Sequence, residues 1–159
     1  MRILGLDPGV ARTGYGVVDV VPGKCIHRTN GCITTKAGMP HPDRLALLAV
    51  SLRKLLRREQ VDLAAVERLF FTRNTSTAMS VGEARGATLA VLAEAGIPIV
   101  EYTPSAVKSA VTGSGRAGKS QVQRMVMVLL KLKKFPSPDD AADALAVALT
   151  AAAHIRIKR

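Results

Sequence analysis

RILGLDPGVARTGYGVVDVV, residues Arg2 to Val21, decides the architecture of this chain. RILGLD (Arg2 to Asp7) is a short apolar run bounded by Pro8 and Gly9, and it reads as a buried strand. After a turn, GYGVVDVV resumes strand character, and a third strand runs through Cys25 to Thr34. Connections this short join antiparallel neighbours, so the three strands form a meander.

Beyond Pro42 the period changes. Leu45, Leu48, Leu52, Leu55 and Leu56 share one helical face, with Arg53, Lys54, Arg57 and Arg58 elsewhere. VDLAAVE (Val61 to Glu67) is strand again, and Thr75 to Ala95 is a helix of small residues ended by Gly96. IPIVEY (Ile97 to Tyr102) makes a fifth strand. A short helix from Ser105, a glycine loop, a helix from Ser120 to Lys134 and a last helix from Ser137 complete the chain. This order predicts an α/β fold in one domain, residues 1–159: a five-stranded mixed sheet flanked by helices. No repeat or linker interrupts it.

The glycine loop, GSGRAGKS (Gly113 to Ser120), matches the letters of a nucleotide-binding P-loop. Its setting does not match. A P-loop leaves a buried strand and enters a helix, whereas this one follows SAVKSAVT, which has no strand character. The metal-holding aspartate of a neighbouring strand is also missing downstream. The expected ligand is therefore not a nucleotide. What remains is a flexible turn that carries Arg116 and Lys119 beside a helix N-terminus, suited to any phosphate.

Charge narrows the partner. The net charge is +11, and no acidic residue stands between Glu101 and Asp139. That interval holds Lys108, Arg116, Lys119, Arg124, Lys131, Lys133 and Lys134, a one-sided run that points to nucleic acid. No apolar stretch is long enough to span a bilayer, and the N-terminus lacks a signal peptide. Cys25 and Cys32 fit no zinc or redox spacing, so a cytoplasmic location is expected.

Acidic residues are scarce, so their places matter. Asp7 closes the first strand and Glu67 the fourth; if those strands are parallel neighbours, the two carboxylates meet at one sheet edge. Asp62 begins the fourth strand, about 16 Å away at 3.3 Å per residue, and lies at the wrong end. Asp19 falls late in the returning second strand and is excluded on the same ground. Glu101 is not excluded.

SPDDAADALAVAL, from Ser137, reads as a capped helix with Pro138 at its first position. Asp139 and Asp140 suit its positive end. Asp143 sits a turn further in, on the face that Asp140 shares. Laid over the strand ends, this face gathers Asp7, Glu67, Asp140 and Asp143. Four such carboxylates repel one another unless cations join them, and hard oxygen donors favour Mg²⁺ or Mn²⁺. Two such ions form the clamp used for phosphodiester displacement. A basic surface around an acidic metal pocket points to a nuclease or polynucleotidyl transferase.

LDPGVARTGYGVV, AVERLFFTRN, VKSAV, GKSQVQRMV and DDAADALAVAL resemble, in order along nearly the whole chain, the RuvC family of bacterial Holliday-junction resolvases. The resemblance implies an RNase H-like fold with strand order 3-2-1-4-5. It also implies a homodimer that binds a four-way DNA junction and nicks two opposed strands with Mg²⁺, leaving 5′-phosphate and 3′-hydroxyl ends. RuvA and RuvB, the branch-migration proteins, are implied partners. Carried over by position, Asp7, Glu67, Asp140 and Asp143 are catalytic and bind metal. Asp143 is the carboxylate variant of a position that is histidine in some members.

Lys108 and Lys119 align with family lysines that approach the DNA backbone, and Ser120 and Arg116 are grouped with them. Phe70 matches a phenylalanine that stacks on an unpaired base, though core packing is the plainer reading for its neighbour Phe71. Arg73 and Asn74, next along, are expected to contact the strand being cut. Gly82, Gly86 and Ala90 recur along one helix, either for internal packing or for the dimer interface.

Two other classes are weighed against this. A non-catalytic DNA-binding module would lack one of the carboxylates, and none is lacking. An ATPase or sugar-kinase-like protein would pair two such domains around its nucleotide, and 159 residues make one.

Overall fold

The computed structural model describes residues 1–68 and 75–157. The described elements run β1 (Arg2–Asp7), β2 (Arg12–Val21), β3 (Lys24–Thr34), α1 (His41–Glu59), β4 (Leu63–Glu67), α2 (Thr75–Glu94), β5 (Ile99–Tyr102), α3 (Pro104–Thr112), α4 (Lys119–Leu129) and α5 (Asp139–Ile157). The strands make one sheet in the order β3-β2-β1-β4-β5. β1, β2 and β3 pair antiparallel, while β1–β4 and β4–β5 are parallel. The expected meander and the mixed sheet are both present.

The central strands are apolar on both faces because helices cover both. Leu4, Leu6, Ala64 and Val66 point to one side and pack with Leu48, Leu52, Val91 and Leu92 of α1 and α2. Ile3 and Ala65 point to the other, with Val107, Val122, Val126, Leu145 and Ala148 of α3, α4 and α5. This period of two also sets the direction of every side chain at the strand ends.

α5 lies directly on the sheet. Its alanines Ala141, Ala144, Ala148 and Ala152 are buried, and the strands beneath are glycine where the helix comes nearest. A Cβ on Gly5 would collide with the Ala144 carbonyl, and one on Gly14 with the Asp140 carbonyl. Small residues on both surfaces therefore bring the first turn of α5 down over β1.

Two helix boundaries differ from the sequence expectation. α4 stops at Leu129 instead of continuing to Lys134. Lys131 turns left-handed at φ 52. The Leu132 amide then donates to the Met127 carbonyl at 2.9 Å and the Lys131 amide to Val128 at 3.1 Å, the bonds of a Schellman closure. Pro136 further disfavours helix in the residue before it. α5 begins at Asp139, not Ser137, and its first-turn bond runs from the Ala141 amide to the Pro138 carbonyl at 2.9 Å. Pro138 is thus the flanking residue and Ser137 lies outside the helix. α2 closes as expected at Gly96, with φ 66 and an Ile97-to-Leu92 backbone bond of 3.1 Å.

Candidate active site

β1 and β4 run side by side with Leu6 opposite Val66, so Asp7 and Glu67 leave the sheet together. Both carry odd numbers in strands whose odd positions face α5. The two carboxyls are close enough for each to shift the other's titration. Burial raises the Asp7 pKa to about 6, and the neighbouring Asp143 and Asp140 charges add to the rise. Burial likewise raises Glu67 to about 7, reinforced by Asp7 and Asp143 and opposed by Lys108. Removal from water penalises the charged carboxylate, and like charges penalise it again.

α5 supplies the other two carboxylates. Asp140 stands over β2, where its Oδ2 lies 3.6 Å from Arg12 and accepts from the Cys32 thiol at 3.9 Å. Asp143 is raised by burial and held back by Lys119, whose Nζ stands 3.3 Å from its Oδ2. The charges of Asp143 and Asp140 act on Asp7, and those of Asp7 and Asp143 act on Glu67. Among the described residues, however, no three acidic, histidine or cysteine side chains stand close enough together to hold an ion as they are placed. Asp143 is engaged by Lys119 and Asp140 by Arg12.

The three other acids weighed in the sequence, Asp62, Asp19 and Glu101, lie elsewhere. Asp62 accepts the Arg2 amide at 2.6 Å, and Asp19 pairs with the Arg2 guanidinium at 2.7 Å, both at the far end of β1. Glu101 sits opposite Val66 and so faces α2, where it pairs with Arg85. The alternation of side chains excludes it, a rule the sequence argument did not apply.

A cleft of about 240 Å³ opens beside the acids, lined by Glu67, Lys108, Lys119 and Asp143 with Val107 and Val122 at its base. The glycine loop connects α3 to α4, so it leaves a helix and not a strand. Lys119 opens α4, and Arg116 and Ser120 are exposed near it. Phe70, Phe71, Arg73 and Asn74 lie outside the described residues.

Sequence reasoning missed Arg12 and the groove it borders. That groove, of about 340 Å³, is lined by Gly9, Ala11, Arg12, His41, Arg44 and Asp140. The signal was present: Arg12 lies five residues after Asp7 and pairs with Thr34 across the sheet, on the same rim. Cys32 also borders the acids, and burial followed by the Asp140 charge raises its thiol to about 11. A thiol held protonated in this way is a poor metal ligand.

Comparison with known proteins places this geometry. The profile of the family described as "Crossover junction endodeoxyribonuclease RuvC" matches residues 3–151. A protein of that name from Chloroflexus aurantiacus is 53% identical over 149 residues, covering 94% of this chain and 91% of the relative. One from Pelotomaculum thermopropionicum is 48% identical over 159 residues, covering 100% and 97%. The structure titled "T. thermophilus RuvC in complex with Holliday junction substrate" superposes with a TM-score of 0.93 at 38% identity, covering 99% of this chain and 96% of that one.

Proposed function

The chain belongs to the RuvC family, and on that premise we propose how its residues act as a Holliday-junction resolvase. It is an endodeoxyribonuclease of RNase H-like fold that hydrolyses phosphodiester bonds in junction DNA. One observation carries the residue assignment: Asp7 and Glu67 end parallel neighbouring strands, with Asp143 and Asp140 of α5 close enough to raise the Asp7 pKa.

Asp7, Glu67, Asp140 and Asp143 would hold the divalent cation on which the reaction depends. The donor set fits one, because four oxygen acids that repel one another are stabilised jointly by a hard positive ion. Mg²⁺ is the proposed ion, two to a site, with Mn²⁺ as a substitute. When bound, such ions activate the attacking water and neutralise the leaving oxygen.

The chain's own residues do the rest. Glu67, with its pKa raised to about 7, is partly protonated near neutral pH and would give that proton up on binding a cation. Lys108 and Lys119, on facing sides of the cleft, receive the phosphates that flank the scissile bond. Arg116 and Ser120, on the exposed loop and first turn of α4, extend that track. Phe70, Arg73 and Asn74 complete the DNA-binding set by the family likeness.

The reading includes a homodimer that makes two matched nicks, leaving 5′-phosphate and 3′-hydroxyl ends, because a two-fold junction calls for a two-fold protein. Support for α2 as its interface comes from Gly86 and Ala90, which are exposed, and from Met79 on the same face, which is 70% exposed. A Cβ on Gly86 would meet nothing within 4 Å, so internal packing does not require that glycine. Cooperation with RuvA and RuvB belongs to the same proposal.

The test is cleavage of a labelled four-way junction in Mg²⁺, with linear duplex of the same sequence as control. Paired, ligatable nicks confined to the junction are expected. Equal cutting of both substrates would overturn junction selectivity, and no cutting of either would overturn the nuclease assignment.

A further inference from the structure

Lys119 does not lie free at the mouth of the cleft. Its ammonium stands 3.3 Å from Asp143 Oδ2 and 3.4 Å from Asp139 Oδ2. Those two aspartates are one helical turn apart on α5, so a single ammonium from α4 spans them both. Lys108 lines the same cleft and, among the described residues, makes no ion pair. The two cations at this site are therefore not equivalent: Lys108 acts on Glu67 without an ion pair among the described residues, and Lys119 is paired with two carboxylates.

A magnesium-sized ion binds carboxylate oxygen at about 2.0–2.1 Å and keeps most of its own waters. An ammonium against Asp143 Oδ2 opposes such an ion at that atom, because two cations would then face each other across one ligand. We propose that Lys119 is a built-in competitor for the metal position: it holds Asp143 in the DNA-free protein and releases it when a divalent cation binds. Asp139, which is exposed, stays within reach of the displaced ammonium, and so does a phosphate of DNA seated in the cleft. The long flexible stem of lysine permits the exchange without movement of α4.

The consequence is a coupling between the two ligands. A phosphate that draws Lys119 away from Asp143 strengthens cation binding, and by linkage the cation strengthens the grip of Lys119 on DNA. The metal site thus loads weakly in the free protein and firmly on the substrate. This inference rests on the assignment of Asp143 as a metal ligand.

Calorimetric titration of the full chain with Mn²⁺, without DNA, tests it. Lys119→Gln is expected to bind Mn²⁺ at least about fivefold more tightly than the unaltered protein, the low end of ordinary coupling. Lys108→Gln, which removes a nearby charge that makes no ion pair with Asp143, should shift the affinity by less than half as much. A Lys119→Gln affinity no better than that of the unaltered chain, or no better than that of Lys108→Gln, overturns the inference. A second measurement uses the unaltered chain: acylation of Lys119, followed by mass spectrometry, should quicken when Mn²⁺ is added. Unchanged labelling at saturating Mn²⁺ also overturns it, while leaving the metal site intact. If no variant binds Mn²⁺, the metal assignment itself fails and takes the inference with it.

Discussion

The Asp140 carbonyl rests against the Cα of Gly14, and Gly14 is the cross-strand partner of Asp7. One glycine therefore sets how near α5 comes to the strand end that carries Asp7, and with it the place of two more carboxylates. Gly14→Ala should push the first turn of α5 off the sheet. Overpacking of this kind costs about 1–3 kcal/mol. At about 2–4 °C per kcal/mol for a chain of this size, Tm should fall by roughly 2–12 °C. Junction cleavage should fall further than junction binding, since the basic cleft is left in place. An unchanged Tm would show that α5 does not lie this close.

Asp7→Asn separates chemistry from affinity. It removes one charge from the acid cluster and leaves Lys108 and Arg116 untouched. Cleavage should drop by more than the roughly 10–100-fold that loss of a mere outer-shell partner costs. Gel-shift affinity for the junction should hold or improve, because a repulsive charge is lost. Weakened binding with cleavage intact would contradict the assignment.

The acid cluster also predicts an unusual pH response in the metal-free protein. Asp7 at about 6 and Glu67 at about 7 lie above the ordinary values of 3.8 and 4.5. Between those limits the folded state binds more protons than the unfolded state, so stability falls as pH rises. The contribution is full below about pH 4 and is lost as pH rises through 6 to 7. Thermal melts in chelator should therefore show Tm declining from pH 5 to pH 8. Asp7→Asn should flatten that slope, and Mg²⁺ at pH 8 should reverse the loss. A metal-free Tm that climbs over this range would mean the carboxyls are neither buried nor coupled.

Dimer formation through α2 is tested at Gly86. A Cβ there would meet nothing within 4 Å among the described residues, so Gly86→Arg should leave the fold intact by circular dichroism. If the exposed face of Met79, Gly86 and Ala90 is the interface, sedimentation should show a shift from dimer to monomer. Cleavage should shift with it, from paired nicks to single ones. A variant that remains dimeric would place the interface elsewhere.

Much of this site was legible because it depends on where strands end. Asp7 and Glu67 follow apolar runs of defined length, and a terminal carboxylate after such a run has few places to go. The helix of Asp140 and Asp143 was legible too, since alanine spacing marks a helix that must lie flat. What stayed hidden involves long side chains and tertiary distance. The Lys119 ammonium could reach a phosphate or an aspartate, and only the placement of α4 beside α5 shows that it meets Asp143 and Asp139. Arg12 likewise pairs with Asp140 across 128 positions of sequence. Lys131 ends α4 in a left-handed turn that glycine would have announced and lysine does not.

The salt dependence of binding discriminates between the two lysines of the cleft. Each phosphate neutralised by the protein contributes about −0.9 to the slope of log K against log salt. Lys108 has no ion pair among the described residues to break, so its contact releases DNA counterions more nearly at full measure. Lys108→Ala should therefore weaken junction binding and flatten the slope by about 0.9. Lys119 starts from an ion pair with Asp143 and Asp139, and without divalent metal it has to give up that pair to reach a phosphate. In chelator, Lys119→Ala should change the slope by distinctly less than Lys108→Ala does. In Ca²⁺, which should occupy the acids without promoting cleavage, the two variants should converge. Equal slopes for both variants in chelator would mean that Lys119 is as free to meet DNA as Lys108 is.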